Sequence, residues 1–319
     1  MEATSDMEAP SGNLAKTLVK RPRGSRTGHR ILRFCGMMAV ALGGFLYWRD
    51  LPPEVHVPTP TMPSPNALDY FIRAADMKRD ISKVDWATCG VHSGKPLSSY
   101  DRPYSAVEKA ALIRENAPAL LEFRDGLAYP LQQPPVRSIT AGLPQYAKLR
   151  GLARLLVLEA QVKGAQGNWS GTASTDIDII RLGAAVPHGG NLIGGLVGVS
   201  ITAMGQKQLW KDLDHLNATQ ARDTAWLLNS IDFIPYSQVM QEEEWTDLSR
   251  LAEFMAKPNW ILSTAEYFGE YPTTSEKILL SLWMQRYGKR QIMGDLSHYM
   301  DGLVAEGRLP YAAKHPAQT

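Results

Sequence analysis

Residues 143–187 read LPQYAKLRGLARLLVLEAQVKGAQGNWSGTASTDIDIIRLGAAVP. Tyr146, Leu149, Leu152, Ala153, Leu156 and Ala160 recur at helical spacing and line one face of a long helix. Gly164 and Gly167 end that helix. Asn168-Trp169-Ser170 then opens a second one, with Ile177, Ile180 and Ala184 on its apolar face and Pro187 at its end. Two helices joined by a Gly-containing turn make a helical hairpin, and this one sets the fold class.

Working outward, the same pattern recurs. Ser64 and Pro65 are suited to start a helix carrying Leu68, Phe71, Ile72 and Ala75 at i, i+3, i+4 and i+7, ending near Arg79-Asp80. Ser105 and Glu108 form a capping box. Pro118 breaks the helix that follows, and a further helix runs through Leu120, Leu121, Phe123 and Leu127. Residues 129–138 form a proline-rich connection. Beyond the hairpin, 191–209 read NLIGGLVGVSITAMGQKQL, apolar nearly all round. About fourteen of these residues lack strongly polar side chains, short of the ~20 a membrane span needs. A buried helix packed through its glycines is the expectation. Thr219 is the expected cap of a helix through Ala225, Trp226, Leu228 and Ile231. Pro235 starts the next, which Lys257-Pro258 breaks. Further helices are expected over 274–287, opened by Thr274, and over 291–306. No stretch alternates as a strand does, so the domain reads as all-α.

The hairpin resembles one tetratricopeptide-type unit, on Gly167 at the turn, Trp169 two residues on and Pro187 after the second helix. It departs from that family in Thr172, where Ala is usual, and in the absence of a second copy at a ~34-residue period.

The N-terminal part has another character. Ile31 to Trp48 read ILRFCGMMAVALGGFLYW, with Arg33 as its one charge. Eighteen residues at ~1.5 Å each span ~27 Å, close to a ~30 Å hydrocarbon core. Residues 1–33 carry seven Lys or Arg against three acids, a net of +4. The whole chain carries +2, which leaves −2 for residues 34–319. The basic flank places the N-terminus in the cytoplasm. A cleaved signal peptide is disfavoured because the run ends in Phe45-Leu46-Tyr47-Trp48-Arg49, without a small-x-small site. A lipoprotein is disfavoured because Cys35 follows Leu32-Arg33-Phe34. The expected layout is a basic cytoplasmic tail over 1–30, a transmembrane helix over 31–48, a proline-rich stalk over 49–64, and a helical extracytoplasmic domain over 65–319. The stalk holds Pro52, Pro53, Pro58, Pro60 and Pro63, which favour extended polyproline II.

This layout resembles an uncharacterised family of bacterial single-pass membrane-anchored α-helical proteins. Pro65-Asn66-Ala67-Leu68-Asp69-Tyr70-Phe71 and the 146–205 region, with Gly194-Gly195-Leu196-Val197-Gly198, carry the resemblance. It implies the cell-membrane location but no activity. Members of this look continue beyond a stretch like Leu309-Pro310-Tyr311, so the chain is expected to be a shortened form.

Composition excludes some functions. The near-neutral domain lacks the basic footprint of a nucleic-acid binder. Cys89 is alone in the domain, so no intramolecular disulfide framework forms there. Cys89 and His92 have half-site spacing for a metal but no second pair. Gly90 to Lys95 is one residue too short for a phosphate loop, and Pro96 stands where Ser or Thr would bind Mg²⁺. Gly167 to Gly171 is mis-spaced for a nucleophile elbow, and no H-E-x-x-H occurs. No catalytic, cofactor-binding or metal residue is therefore assigned. Asp176 and Asp178, two apart, do not share a helix face. Glu242, Glu243, Glu244 and Asp247 are expected to form a solvated helix face. Trp86, Trp169, Trp210, Trp226, Trp245, Trp260 and Trp283 are expected mainly in the core or at helix interfaces.

The leading expectation is an envelope interaction or scaffold protein, with the lipid bilayer and another envelope protein as partners. The alternative is a hydrolase or transferase acting on cell-wall glycan, through the acids beside Trp245. The loop 81–104 is the longest in the domain, and long loops are more often functional.

Overall fold

The computed structural model describes residues 26–51, 56–81, 104–138, 142–257, 260, 273 and 288–309. The loop 81–104 beyond Ile81 and before Tyr104, the tail before Arg26, Cys89, His92, Trp86, Trp283 and the helix expected over 274–287 lie outside them. The described residues are helical, with no strand among them. The chain divides into two units, Met1–Asp50 and Leu51–Thr319.

The first unit is one helix, α1 (Arg26–Asp50). Its side chains are described from Arg33 to Trp48, and every one is exposed, Phe34, Met37, Val40 and Phe45 included. Among the described residues no helix is long and apolar enough to cross a membrane. The eighteen-residue run expected to do so begins at Ile31, two residues ahead of the described side chains.

The second unit begins with α2 (Ala67–Met77), α3 (Ala106–Glu115), α4 (Ala117–Gly126), α5 (Pro144–Ala165) and α6 (Trp169–Ala185). It continues with α7 (Leu192–Asp212), α8 (Ala218–Asn229), α9 (Tyr236–Met255) and α10 (Lys289–Arg308). The helix α2 starts later than expected: Asn66, not Ser64, is the N-cap and accepts from Leu68 N–H at 3.1 Å. The Asn66 carboxamide also ties down residue 132, donating to Gln132 C=O at 2.8 Å and accepting from its N–H at 3.2 Å. A cap that also holds a distant strand of chain has two reasons to be Asn rather than Ser. The Ser105–Glu108 capping box forms as expected. Asn116 lies between α3 and α4, where Pro118 enforces the break. For α8 the cap is Asn217, in a box with Gln220, rather than Thr219.

The hairpin α5–α6 is the centre of the domain. Leu149, Leu152, Leu155, Leu156 and Leu158 of α5 are fully buried. Each such side chain contributes about 1.5–3 kcal/mol relative to exposure. Gly167 closes the turn at φ +72, a left-handed conformation that costs other residues more. Asn168 caps α6 by accepting from Gly171 N–H at 3.0 Å. Helices α2 and α3 pack on one side of α5 and α4 packs on α2, where the Phe71 and Phe123 rings meet at 5.1 Å.

On the other side α6 packs closely on α7. A Cβ on Gly198 would lie 2.7 Å from Gly183 C=O, and one on Gly183 would lie 2.5 Å from Thr202 N–H. The glycines therefore let the two backbones touch, as expected. The expectation of full burial needs correction: Ile193, Leu196 and Val199 on the outer face of α7 are exposed. Helices α9 and α10 pair, with Leu248, Met255, Trp260 and Met293 in one cluster and Met240, Met300 and Val304 in another.

Candidate functional site

The acidic run of α9 is not the solvated face expected of it. Glu242 accepts from Arg137 Nη2 at 2.9 Å, and Arg137 also donates to Thr246 Oγ1 at 3.1 Å. The same guanidinium stands over the Trp245 ring, 5.8 Å from its centroid. Glu243 accepts from Leu192 N–H at 2.7 Å, placing a carboxylate on an orphan donor at the positive end of α7. Glu244 is 5% exposed and accepts from Gln241 Nε2 at 2.5 Å and Ser297 Oγ at 3.1 Å. Burial pushes the Asp247 carboxyl up to about 6, helped by the charge of Glu243 and opposed by Arg250. Each of the three glutamates thus fixes α9 to a different neighbour: the 137 segment, α7 and α10. A run of three acids looks solvent-directed only when its cationic and backbone partners, distant in sequence, are out of view.

Those contacts frame a polar cleft of about 210 Å³. Gln132, His188, Gln238, Gln241, Glu242 and Trp245 face it, with Pro187 and Ile234 at one wall. The chain around it is held from several directions. Gln133 donates its N–H to His188 C=O at 2.9 Å and its side-chain amide to Val186 C=O. Ala67 N–H reaches Pro130 C=O at 3.0 Å. Gly189 has φ +69, and a Cβ there would collide with the Gln132 carboxamide. His188 has a pKa pulled down by burial, against the opposing charge of Asp232, so its imidazole is neutral near pH 7. Three carboxamides, one carboxylate and a neutral imidazole supply both donors and acceptors beside an indole. Among the described residues no Lys or Arg lines the cleft.

An apolar groove of about 390 Å³ adjoins this cleft. Its floor includes Gly183, Gly195 and Gly198, and its rim includes Leu196 at 61% exposure, Val199 at 68%, Phe233 at 50% and Tyr236 at 54%. Pro187 and Ile234 line both hollows and so form a common wall. The sequence marks 191–209 as apolar but not which of its faces stays open.

A second set of charged groups is buried between helices. Arg124 of α4 meets Glu159 of α5 at 2.7 Å and Asp178 of α6 at 3.2 Å, while Lys163 meets Glu159 at 2.9 Å and Thr175 at 2.8 Å. Burial pulls the Arg124 pKa down, but the two carboxylates outweigh it and the net shift is upward. Asp176 points the other way, as the two-residue spacing requires. It is fully buried, and neither of its carboxylate oxygens has a hydrogen-bond partner. Burial, then the charge of Asp212, pushes its pKa up to about 9. Once protonated, Asp176 can donate to the Asp212 carboxylate, the next contribution to the same upward shift. This network joins helices and opens onto neither hollow. Among the described residues no group of three or more His, Cys, Asp or Glu side chains could hold a metal ion.

The tryptophans divide. Trp260 is buried, Trp169 stacks on His215 with centroids 3.9 Å apart, and Trp245 borders the cleft. Trp210 and Trp226 are exposed, against the expectation for them. Compared with protein-family models, curated proteins and solved structures, the chain matches none.

Proposed function

We propose that the chain is a membrane-anchored interaction protein of the cell envelope, with its N-terminus in the cytoplasm and α2–α10 as an extracytoplasmic binding domain. The observation that carries the binding part is the pair of adjoining hollows, one apolar and one polar. Open apolar concavities on a packed domain mark sites of association. Three features support the anchor: the apolar run 31–48, the basic residues concentrated before it, and the continuous helix α1 with all its described side chains exposed. The described residues alone do not make a span of α1, so the anchor rests on the sequence of the whole run and its flank.

The experiment is in-cell cross-linking of the tagged full-length chain, against a control truncated after Trp48, with mass spectrometry of what is retained. Partners that depend on the domain support the proposal. Identical retention by both chains counts against it.

Trp245 and Glu242 in the cleft favour a second reading, an envelope protein acting on glycan. Glycoside hydrolysis ordinarily needs two carboxylates flanking the scissile bond. Among the described residues the cleft is lined by one, Glu242, and its neighbour Glu243 is engaged at the start of α7. This arrangement suits sugar binding better than sugar cleavage. A Glu242→Gln chain that keeps glycan binding but loses turnover of a glycan substrate would restore the hydrolase reading.

A further inference from the structure

The two hollows have complementary chemistry and a shared wall. The groove is lined by Gly183 of α6 and by Gly195 and Gly198 of α7, whose Cβ positions are taken up by Thr202, Val239 and Pro187, so its base is close-packed backbone. Its lining is apolar apart from Thr202, Gln206 and the Tyr236 hydroxyl. Its volume of about 390 Å³ falls within the ~300–1,000 Å³ usual for small-molecule sites. Across Pro187 and Ile234 lies the cleft, which is smaller, polar and bordered by an indole. A ligand spanning both must be amphiphilic.

The character of its polar end follows from the lining. Phosphate and carboxylate heads are recognised by Arg or Lys forks. Among the described residues none lines the cleft, and the Arg137 guanidinium over Trp245 is held by Glu242 and Thr246. An anionic head would meet the Glu242 carboxylate without a free cation. A cationic head would find one carboxylate already paired. A neutral head rich in hydroxyls fits: each hydroxyl both donates and accepts, matching Gln132, Gln238, Gln241 and His188, and the C–H face of a pyranose ring packs on an indole.

We propose that groove and cleft together bind a glycolipid, with its alkyl chain along the outer face of α7 and its uncharged sugar head against Trp245. This deepens the reading of α2–α10 as a binding domain and rests on it, but not on the anchor.

The test uses the full-length chain in phosphatidylcholine vesicles. The vesicles carry a small fraction of a glucosyl lipid with a diazirine in mid-chain, or the same diazirine lipid with a phosphocholine head. Flotation reports whether the chain holds to the bilayer, and mass spectrometry after illumination maps the adducts. The expected result is adducts on residues 192–203 and 233–239, about tenfold more from the glucosyl probe. Trp245→Ala should bring the glucosyl signal down to the phosphocholine level. Because Trp245 is half-buried, the exposed Gln238→Ala is the second cleft variant, and the exposed Val199→Asp should remove adducts from both probes while circular dichroism stays unchanged. Equal labelling by the two heads, or adducts confined to residues 26–50, would overturn the proposal. A chain that does not float overturns the anchor instead. The same probes, added as monomers to that chain, then decide the glycolipid site by the same criteria.

Discussion

Replacing Gly198 by alanine tests the packing on which the groove depends. In isolation the change favours a helix by about 1 kcal/mol, because alanine costs less backbone entropy. Here the added Cβ would lie 2.7 Å from Gly183 C=O and 2.6 and 2.7 Å from Pro187 Cγ and Cδ. A backbone carbonyl and a proline ring do not swing aside as a flexible side-chain end does. The overpacking cost therefore belongs at the upper end of the usual ~1–3 kcal/mol. Subtracting the propensity gain leaves a net loss of about 2 kcal/mol. At roughly 2–4 °C per kcal/mol for a domain of this size, the midpoint should fall by about 4–8 °C. Gly302 is the control: it lies inside α10, and a Cβ there meets nothing within 4 Å. Gly302→Ala should raise stability by up to about 1 kcal/mol. Calorimetry or thermal circular dichroism on the two variants gives opposite signs for one chemical change. A Gly198→Ala chain that melts at or above the unsubstituted protein would refute the close contact of α6 and α7.

Three other outcomes follow from the charged groups. Arg124→Met removes the ion-pair partner of Asp178 and leaves Glu159 with Lys163 alone; since Arg124 keeps 34% exposure, chemical denaturation should show a loss of about 1–3 kcal/mol, below the ~3–5 of a fully buried pair. Asp176, with a pKa near 9 when folded and 3.8 ordinarily, holds its proton in the fold where the unfolded chain has lost it. Stability should therefore fall as pH rises between about 4 and 9, with this group adding a slope of at most about 1.4 kcal/mol per pH unit, and denaturation of Asp176→Asn across pH 5–8 should show a flatter profile. Glu243→Ala removes the acceptor at Leu192 N–H and should cost about 0.5–2 kcal/mol by denaturation, as loss of a helix cap does, with faster amide exchange in the first turn of α7.

Helix types and breaks were legible because their signals are local. The capping box at Ser105, the break at Pro118, the turn at Gly167 and the cap at Asn168 each depend on residues within four positions. The α2 cap was misread because Asn66 is selected by a bond to residue 132, sixty-six positions away. The same limit hid the site. Glu242 finds Arg137, 105 positions away, and Glu243 finds Leu192, 51 away. Composition alone reads such a run as hydrophilic surface. The exposed face of α7 was hidden for another reason: Leu196, Val199 and Ile201 are similar in sequence, and only the placement of α5 and α6 buries the last and leaves the others open. Of the cleft, Trp245 and Glu242 were visible as candidates beforehand, whereas Gln132 and His188 carry no signal in the chain.

The central claim is that α2–α10 lies outside the cytoplasmic membrane on a chain held by its N-terminal helix. The direct measurement places a single cysteine at the exposed Asp223, with Cys35 and Cys89 replaced by serine, and treats intact bacterial spheroplasts with a membrane-impermeant maleimide. Asp223→Cys labelled as fully before lysis as after it is the predicted result. Labelling that appears only once the membrane is broken would contradict the account.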